Sequence, residues 1–294
     1  MGNYSIKELE KLSGIKAHTI RIWEKRHQII DPKRTDTNIR FYSDDDLKKI
    51  LNVSILNNNG YKISYIADLS IKELTNTVKQ LSEEKTDAAL FIDQLTICMI
   101  DFDEVGFEKK LAGFILKIGF ERTLLEIIYP FLTKIGVLWL SGNISPIQEH
   151  FITNLIRQKI IVAIDGLDVK TDENAKKVAF FLPENEMHEI GLLFFHYLLK
   201  KLKFKTYYLG QYVPFDDLVK SVEIIQPDMM VASISYSPSA RQLNQFLKNL
   251  AETFNGTDIY ITGQSQLKQS LSQFKNLHFF EDALALKELF SSKI

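Results

Sequence analysis

The spacing of apolar positions along the chain changes texture twice. Residues 1–75 read as short periodic pieces separated by turn signals. Ser5-Ile6-Lys7-Glu8 is a capping box: the serine side chain accepts from the backbone N–H three residues on, and the glutamate side chain accepts from the serine N–H. It predicts a helix over 5–12 that stops at Gly14. A second helix is predicted from Lys16 through Arg26, with Ile20 and Trp23 on its apolar face. Pro32-Lys33-Arg34-Thr35 and Ile39-Arg40-Phe41-Tyr42 read as a β-hairpin with arginine at both roots. Ser43 ahead of Asp44-Asp45-Asp46 opens a third helix running to Asn58, Gly60 ends it, and 63–69 forms a fourth. Two short helices joined by a tight glycine-containing turn are a helix-turn-helix, and the hairpin is its wing.

Residues 76–170 switch to steps of three and four: Leu81, Ala88, Phe91, Ile92, Leu95 and Met99, later Phe114, Ile118, Leu124, Leu125 and Ile128. This is the pattern of an antiparallel helical bundle. Ser145, with Pro146 at the first helical position and Gln148 at the third, marks a helix start. Trp139 therefore ends one helix while Glu149 and His150 sit in the first turns of the next, which can bring the three to one end of the bundle.

From residue 176 apolar runs alternate with helical stretches. The runs are KVAFFL, KTYYLG, DMMVASIS, DIYITG and HFFE; the helices are predicted at 189–203, 214–225, 239–254 and 281–291, with a shorter one near 265–273. Apolar strands alternating with helices mean a parallel sheet covered on both faces, and five in this order suit a flavodoxin-like sheet. The fold class is multidomain α and α/β: a winged helix-turn-helix over 1–75, a helical bundle over 76–170 and an α/β domain over 176–294, with a polar boundary at 165–176.

Composition sharpens one part of this picture. The chain is near neutral, with net charge −1, 45% hydrophobic and 25% charged residues, an ordinary globular balance. Residues 1–42, however, carry nine Lys/Arg against five Asp/Glu, so a basic front end is concealed in a neutral protein, and such asymmetry points to an anionic partner. A single cysteine, Cys98, excludes a disulfide framework and a cysteine zinc site, and on its apolar stretch it reads as a buried, inert thiol. The start has no apolar leader, and no apolar run reaches the ~18 residues of a spanning helix. The expectation is a cytoplasmic protein with no membrane association.

Candidate chemistry lies at the two ends. The second helix presents His18, Thr19, Arg21, Lys25 and Arg26 outward, a set suited to a major groove and its phosphates; a charge run alone would equally be a solvated face. Trp23 and Tyr42 are core residues or backbone contacts, the core reading being favoured. At the other end the first strand closes at Pro183, and Glu184-Asn185-Glu186-Met187-His188-Glu189-Ile190-Gly191 leads into a helix. His188 thus lies in a loop beyond the carboxyl end of a strand, where open α/β sheets bind ligands. A lone histidine is more often structural or solvated. One with a carboxylate two residues earlier can ligate a metal, the carboxylate holding the other ring nitrogen.

The front end resembles the MerR family of transcription regulators. The matching residues are Tyr4 through Leu9, Gly14 through Glu24, Pro32, Arg34, Arg40-Phe41-Tyr42-Ser43, Asp46-Leu47 and Ile63 with Ala67. The resemblance implies a winged helix-turn-helix that binds a near-palindromic site on double-stranded promoter DNA, with His18, Thr19 and Arg21 on the recognition helix and Arg34, Arg40 and Tyr42 on the wing as contacts. The family's dimerising coiled coil should follow, but no sustained heptad does, so a homo-oligomer, dimer or tetramer, would form through the C-terminal body.

The back end resembles the cobalamin-binding domain shared by methionine synthase, the mutases and certain regulators. Their Asp-x-His-x-x-Gly motif, whose histidine is the lower axial cobalt ligand, reads here Glu186-x-His188-x-x-Gly191. Ser233-Ile234-Ser235 stands where the family has Ser-x-Leu, and Thr262-Gly263 stands for its Gly-Gly. The resemblance implies His188 as the metal ligand, Glu186 behind it, and Gly191, Ser233, Ser235 and Gly263 along the cofactor's tail. The spacing Trp139, nine residues, then Glu149-His150 is similar to that of light-responsive, cobalamin-dependent MerR-type repressors of carotenoid genes, where it covers the upper face of adenosylcobalamin. There a histidine follows the tryptophan and captures cobalt after light; here that position is Leu140, so no adduct through it is expected. The reading that follows is a transcription regulator, a repressor and not an enzyme, with a cobalamin sensor. The alternatives are a regulator whose sensor body serves only protein contacts, or a cobalamin-dependent methyltransferase carrier module. No nucleophile triad, P-loop or HExxH suggests separate catalysis.

Overall fold

Reciprocal caps begin the first and third helices of the front end in the computed structural model, which describes residues 4–35, 38–84, 88–140, 144–168, 170, 172–235, 239–264 and 266–293, the side chains of 82–84 and 137–140 excepted. Helix α1 (Ile6–Ser13) starts on the Ser5/Glu8 box and ends at Gly14, whose φ of +72° suits a residue without Cβ. Helix α2 (Ala17–His27) follows after three residues. Strands β1 (Lys33–Arg34) and β2 (Arg40–Phe41) pair antiparallel as the wing; its tip, Asp36-Thr37, lies outside the described residues. Helix α3 (Asp44–Asn58) starts on a second box, Ser43/Asp46. Tyr4 and Tyr42 exchange backbone hydrogen bonds of 2.8 Å in both directions, stitching the chain start to the base of the wing. Helix α4 (Ile63–Asp68) precedes α5 (Ile71–Glu84). A third box, Ser70/Glu73, opens α5 with bonds of 2.8 and 3.3 Å, so this helix runs through residue 75 without a break.

Helices α6 (Ala88–Ile100), α7 (Glu104–Ile118), α8 (Phe120–Thr123), α9 (Tyr129–Leu140) and α10 (Pro146–Asp165) form the bundle. A single π-helical turn, Leu124–Ile128, joins α8 to α9. Sequence periodicity does not show it, because one inserted residue merely shifts the phase of the apolar stripe. Leu95, Phe107, Phe131 and Ile152 are wholly buried in the core. Lys134 and Asp93 form a largely buried ion pair between α9 and α6.

By packing the chain divides into two compact units, residues 1–155 and 156–294, and the division falls inside α10. In the second unit, β3 (Lys177–Pro183), β4 (Lys205–Val213), β5 (Met229–Ile234), β6 (Asp258–Gly263) and β7 (Leu277–Phe279) form one parallel sheet in the order β4-β3-β5-β6-β7. This is the flavodoxin-like order 2-1-3-4-5. The connecting helices are α11 (Ile190–Lys201), α12 (Phe215–Ile225), α13 (Ala240–Thr253) and α14 (Leu267–Leu271), and α15 (Ala283–Ser291) ends the chain. Val178 through Leu182 are buried without alternation, as is every residue of β5. A strand covered on both faces requires this.

Candidate functional site

The recognition helix displays what the sequence places outward. Ile20 and Trp23 are buried, at 0% and 8% exposure, and anchor α2 to the module. His18, Arg21, Lys25 and Arg26 are exposed, and Thr19 is half-buried. The wing is not a free arm. Arg40 donates from Nε to Glu24 Oε1 at 3.2 Å, and the Tyr42 hydroxyl donates to Glu24 Oε2 at 3.2 Å, so one carboxylate of α2 ties the hairpin to the recognition helix. Arg34 donates to the Asn38 side chain at 2.7 Å across the hairpin and is otherwise exposed.

Tyr42 is a core residue, the reading favoured for it from the sequence. Its side chain is 0% exposed, and burial together with the Glu24 charge pushes its phenol up to about 12. A phenol sealed in this way holds the wing to α2. Trp23, likewise, is core.

The second site stands at the crevice of the sheet. In this strand order the crevice opens where the connections reverse, between β3 and β5 at their carboxyl ends. The Glu184–Glu189 loop leaves β3 there. Glu186 turns inward and is 1% exposed. Its Oε2 accepts from the Ser235 backbone N–H, just beyond β5, at 2.6 Å. Its Oε1 accepts from the His188 backbone N–H at 3.0 Å and lies 2.6 Å from His188 Nδ1. The carboxylate therefore spans the crevice and fixes the imidazole, whose side chain is 75% exposed. With Nδ1–H directed at a carboxylate, the lone pair resides on Nε2, the tautomer a metal ligand needs. The extra methylene of glutamate over aspartate does not prevent this bond.

The surrounding backbone is close. A Cβ on Gly263 would fall 2.0 Å from the Ile234 carbonyl oxygen, so only glycine fits there. Ser233 and Thr262 are register partners on β5 and β6, buried at 8% and 9%. Gly191 is the second residue of α11.

Behind the loop is a network that the sequence reading missed. Glu189, 8% exposed, pairs with Arg157 of α10 and accepts from the Tyr208 hydroxyl of β4 at 3.1 Å. Burial and this carboxylate push the Tyr208 phenol well above its ordinary range. His196 of α11 stacks on Tyr208, with ring centroids 5.3 Å apart, and its Nε2 lies 3.0 Å from the Thr206 hydroxyl. Burial, aided by the Lys200 charge, lowers its pKa from 6.5 to about 4, so the ring is neutral. The available signal was a glutamate and a histidine set into the otherwise apolar run Ile190–Leu199 and its cap.

Glu149 and His150 come together in the first turns of α10, with His150 Nδ1 2.8 Å from Glu149 Oε2. Trp139 lies on the backbone of α9; its side chain and that of Leu140 are outside the described residues.

Comparison with known proteins gives family matches in the front end and in the bundle. Residues 4–70 match the MerR helix-turn-helix family of regulatory proteins, and residues 91–163 match the B12 binding domain. The chain is a MerR-type DNA-binding regulator that carries a B12-binding domain. It is similar over 95% of its length, and 95% of the relative's, to the HTH-type transcriptional repressor CarH of Myxococcus xanthus, at 24% identity. The HTH-type transcriptional repressor CarA of the same organism is 25% identical over 78% of this chain and 75% of its own. Among solved structures, the monomethylamine corrinoid protein of Methanosarcina barkeri matches 69% of this chain and 98% of its own with a TM-score of 0.57; at 14% identity this shows a shared fold. Among the described residues no helix is long and apolar enough to cross a membrane.

Proposed function

We propose that this chain is a transcriptional repressor that holds a cobalamin at His188 and uses it to set its own association, and through that its grip on double-stranded promoter DNA. The observation that carries the reading is the Glu186–His188 pair at the strand-order reversal: a buried carboxylate, anchored on Ser235, orienting an exposed imidazole. The likeness to two HTH-type repressors supports the direction of regulation.

His188 would hold the cobalt through Nε2, Glu186 would orient the imidazole, and Gly191, Ser233, Ser235 and Gly263 would hold the rest of the cofactor. Trp139, Glu149 and His150 would also be cofactor-binding residues by the resemblance of their spacing. Bound there, the cofactor supplies a light-labile cobalt–carbon bond. The chain's own part is to keep His188 in one tautomer and to present Nε2. His18, Thr19, Arg21, Arg34 and Arg40 would contact the operator. Phosphate contacts by such residues make binding salt-dependent.

The test is gel filtration with excess adenosylcobalamin in the dark, read by absorbance, followed by illumination and DNA shift assays. We expect the cofactor to travel with the protein, His188→Ala to lose the histidine-bound spectrum while keeping its fold, and association and DNA retention to change with the cofactor. A wild-type protein that elutes colourless overturns the cobalamin reading and favours a body used only for protein contacts.

A further inference from the structure

A cavity of about 830 Å³ lies within the first unit, between the DNA-binding module and the bundle. That volume is within the range of sites that enclose drug-sized molecules. Its apolar wall is built by Leu74 and Val78 of α5, Phe91 of α6 and Phe114 of α7. Its rim carries lysines: Lys49 of α3, and Lys109 and Lys117 of α7, which have no ion-pair partner among the described residues.

The carboxylates around the cavity are mostly committed elsewhere. Asp45 and Asp101 both bind Lys48, at 2.8 and 2.7 Å. Asp46 caps α3 and Asp103 caps α7. Asp31 is exposed at the edge. With Lys48, Lys79 and Lys110 beside Lys49, Lys109 and Lys117, the lining holds six lysines against five aspartates among the described residues, so it is positive by one charge over an apolar floor.

Gly113 has a further role in shaping the space. It stands on the same face of α7 as Lys109 and Lys117, four residues from each, and lines the cavity. A glycine inside a helix is unfavourable relative to alanine. Here no neighbour requires it, since a Cβ would meet nothing within 4 Å. What its absent side chain does is leave the cavity wall open.

We infer that this cavity is a binding site for a small amphipathic anion: an apolar body of about ten carbons seated against Phe91 and Phe114, with a single carboxylate-like head at Lys109 and Lys117. Its walls belong to α3 of the DNA-binding module as well as to α5, α6 and α7, so an occupant would clamp the module against the bundle. Its lining residues all belong to the first unit, and the inference does not rest on cobalamin binding at His188.

The experiment is isothermal titration of the full chain with decanoate, below its micelle concentration, beside decan-1-ol. We expect saturable binding of one decanoate per chain, with decan-1-ol weaker by about tenfold. Lys109→Gln with Lys117→Gln should weaken decanoate about three- to tenfold, as two exposed charge contacts allow. Gly113→Leu should abolish binding, and because leucine favours a helix, its thermal melt should not fall. The Lys pair changes surface charge only, so it keeps the test intact should Gly113→Leu misfold. No saturable heat, equal binding by decan-1-ol, or unchanged binding in the folded Gly113→Leu variant would overturn the inference. A change of oligomeric state in Gly113→Leu without decanoate would also overturn it, by making the cavity a contact between copies.

Discussion

In each of the two candidate sites one carboxylate ties two elements together, and the two carboxylates differ in how much water they meet. Glu24 joins the recognition helix to the wing through Arg40 and Tyr42, and its side chain is 17% exposed against a 38% exposed arginine. Glu186 joins the loop after β3 to the end of β5 through His188 and Ser235, and it is 1% exposed. An ion pair at the surface is screened and contributes about 1 kcal/mol or less. A desolvated carboxylate that accepts backbone N–H groups is held by stronger bonds and leaves costly orphans when removed. The wing can therefore adjust to a groove, whereas the imidazole is held in one orientation. A surface that must follow a bent polymer and a loop that must aim one nitrogen call for opposite degrees of rigidity.

The comparison breaks most readily at Glu186. Glu186→Ala strands the Ser235 and His188 N–H groups and should cost about 3 kcal/mol in urea unfolding, with Glu186→Gln costing roughly half as much. The same substitutions should leave the salt dependence of stability unchanged. A cost below about 1 kcal/mol would put Glu186 on the same footing as Glu24.

Acid provides a test of similar size. His196 is neutral in the fold with a pKa of about 4, against 6.5 in the unfolded chain. Its contribution is fully present above pH 6.5, because neither state then holds the proton. As pH falls from 6.5 towards 4 the unfolded chain binds a proton that the folded one refuses, and stability drops by about 3 kcal/mol. His196→Leu should flatten the unfolding free energy across that window; an unchanged slope would mean that His196 protonates within the fold.

A smaller effect is expected at Glu24. Glu24→Ala should cost about 1 kcal/mol, the Arg40 share of it lost above 0.5 M salt, where charges are screened within a few ångström, and the share of the stranded Tyr42 hydroxyl kept. Its main consequence should be on DNA affinity, because the wing loses its tether. If Glu24→Ala unfolded the module, Glu24 would be a structural carboxylate like Glu186.

The sequence made the front end legible because its determinants are local. Ser5 with Glu8, and Ser43 with Asp46, act within four residues, so the helix starts could be placed from the chain alone. The alternation of apolar runs and helical stretches after 176 named the sheet, and the position of His188 followed from the end of β3 at Pro183. Tyr42 was ambiguous because a tyrosine on a wing can face either way; its partner Glu24, eighteen residues earlier, decides it. The π-helical turn at 124–128 and the Ser70/Glu73 start of α5 went unread, the first because it alters phase and not composition, the second because the change of texture suggested a break there.

Local order along the chain thus determined where helices and strands begin, which face of α2 is apolar, and that His188 follows a strand. What only the tertiary structure decided is the environment of the charged groups. Glu186 is buried because β5 packs beside β3 and brings Ser235, 49 residues further on, to the carboxylate. Glu189 meets Arg157 and Tyr208 because α10 and β4 converge on the first turn of α11. Strand order and helix packing set which carboxylates lose water, and desolvation, which depends on everything packed around a group, is not written in the residues beside it.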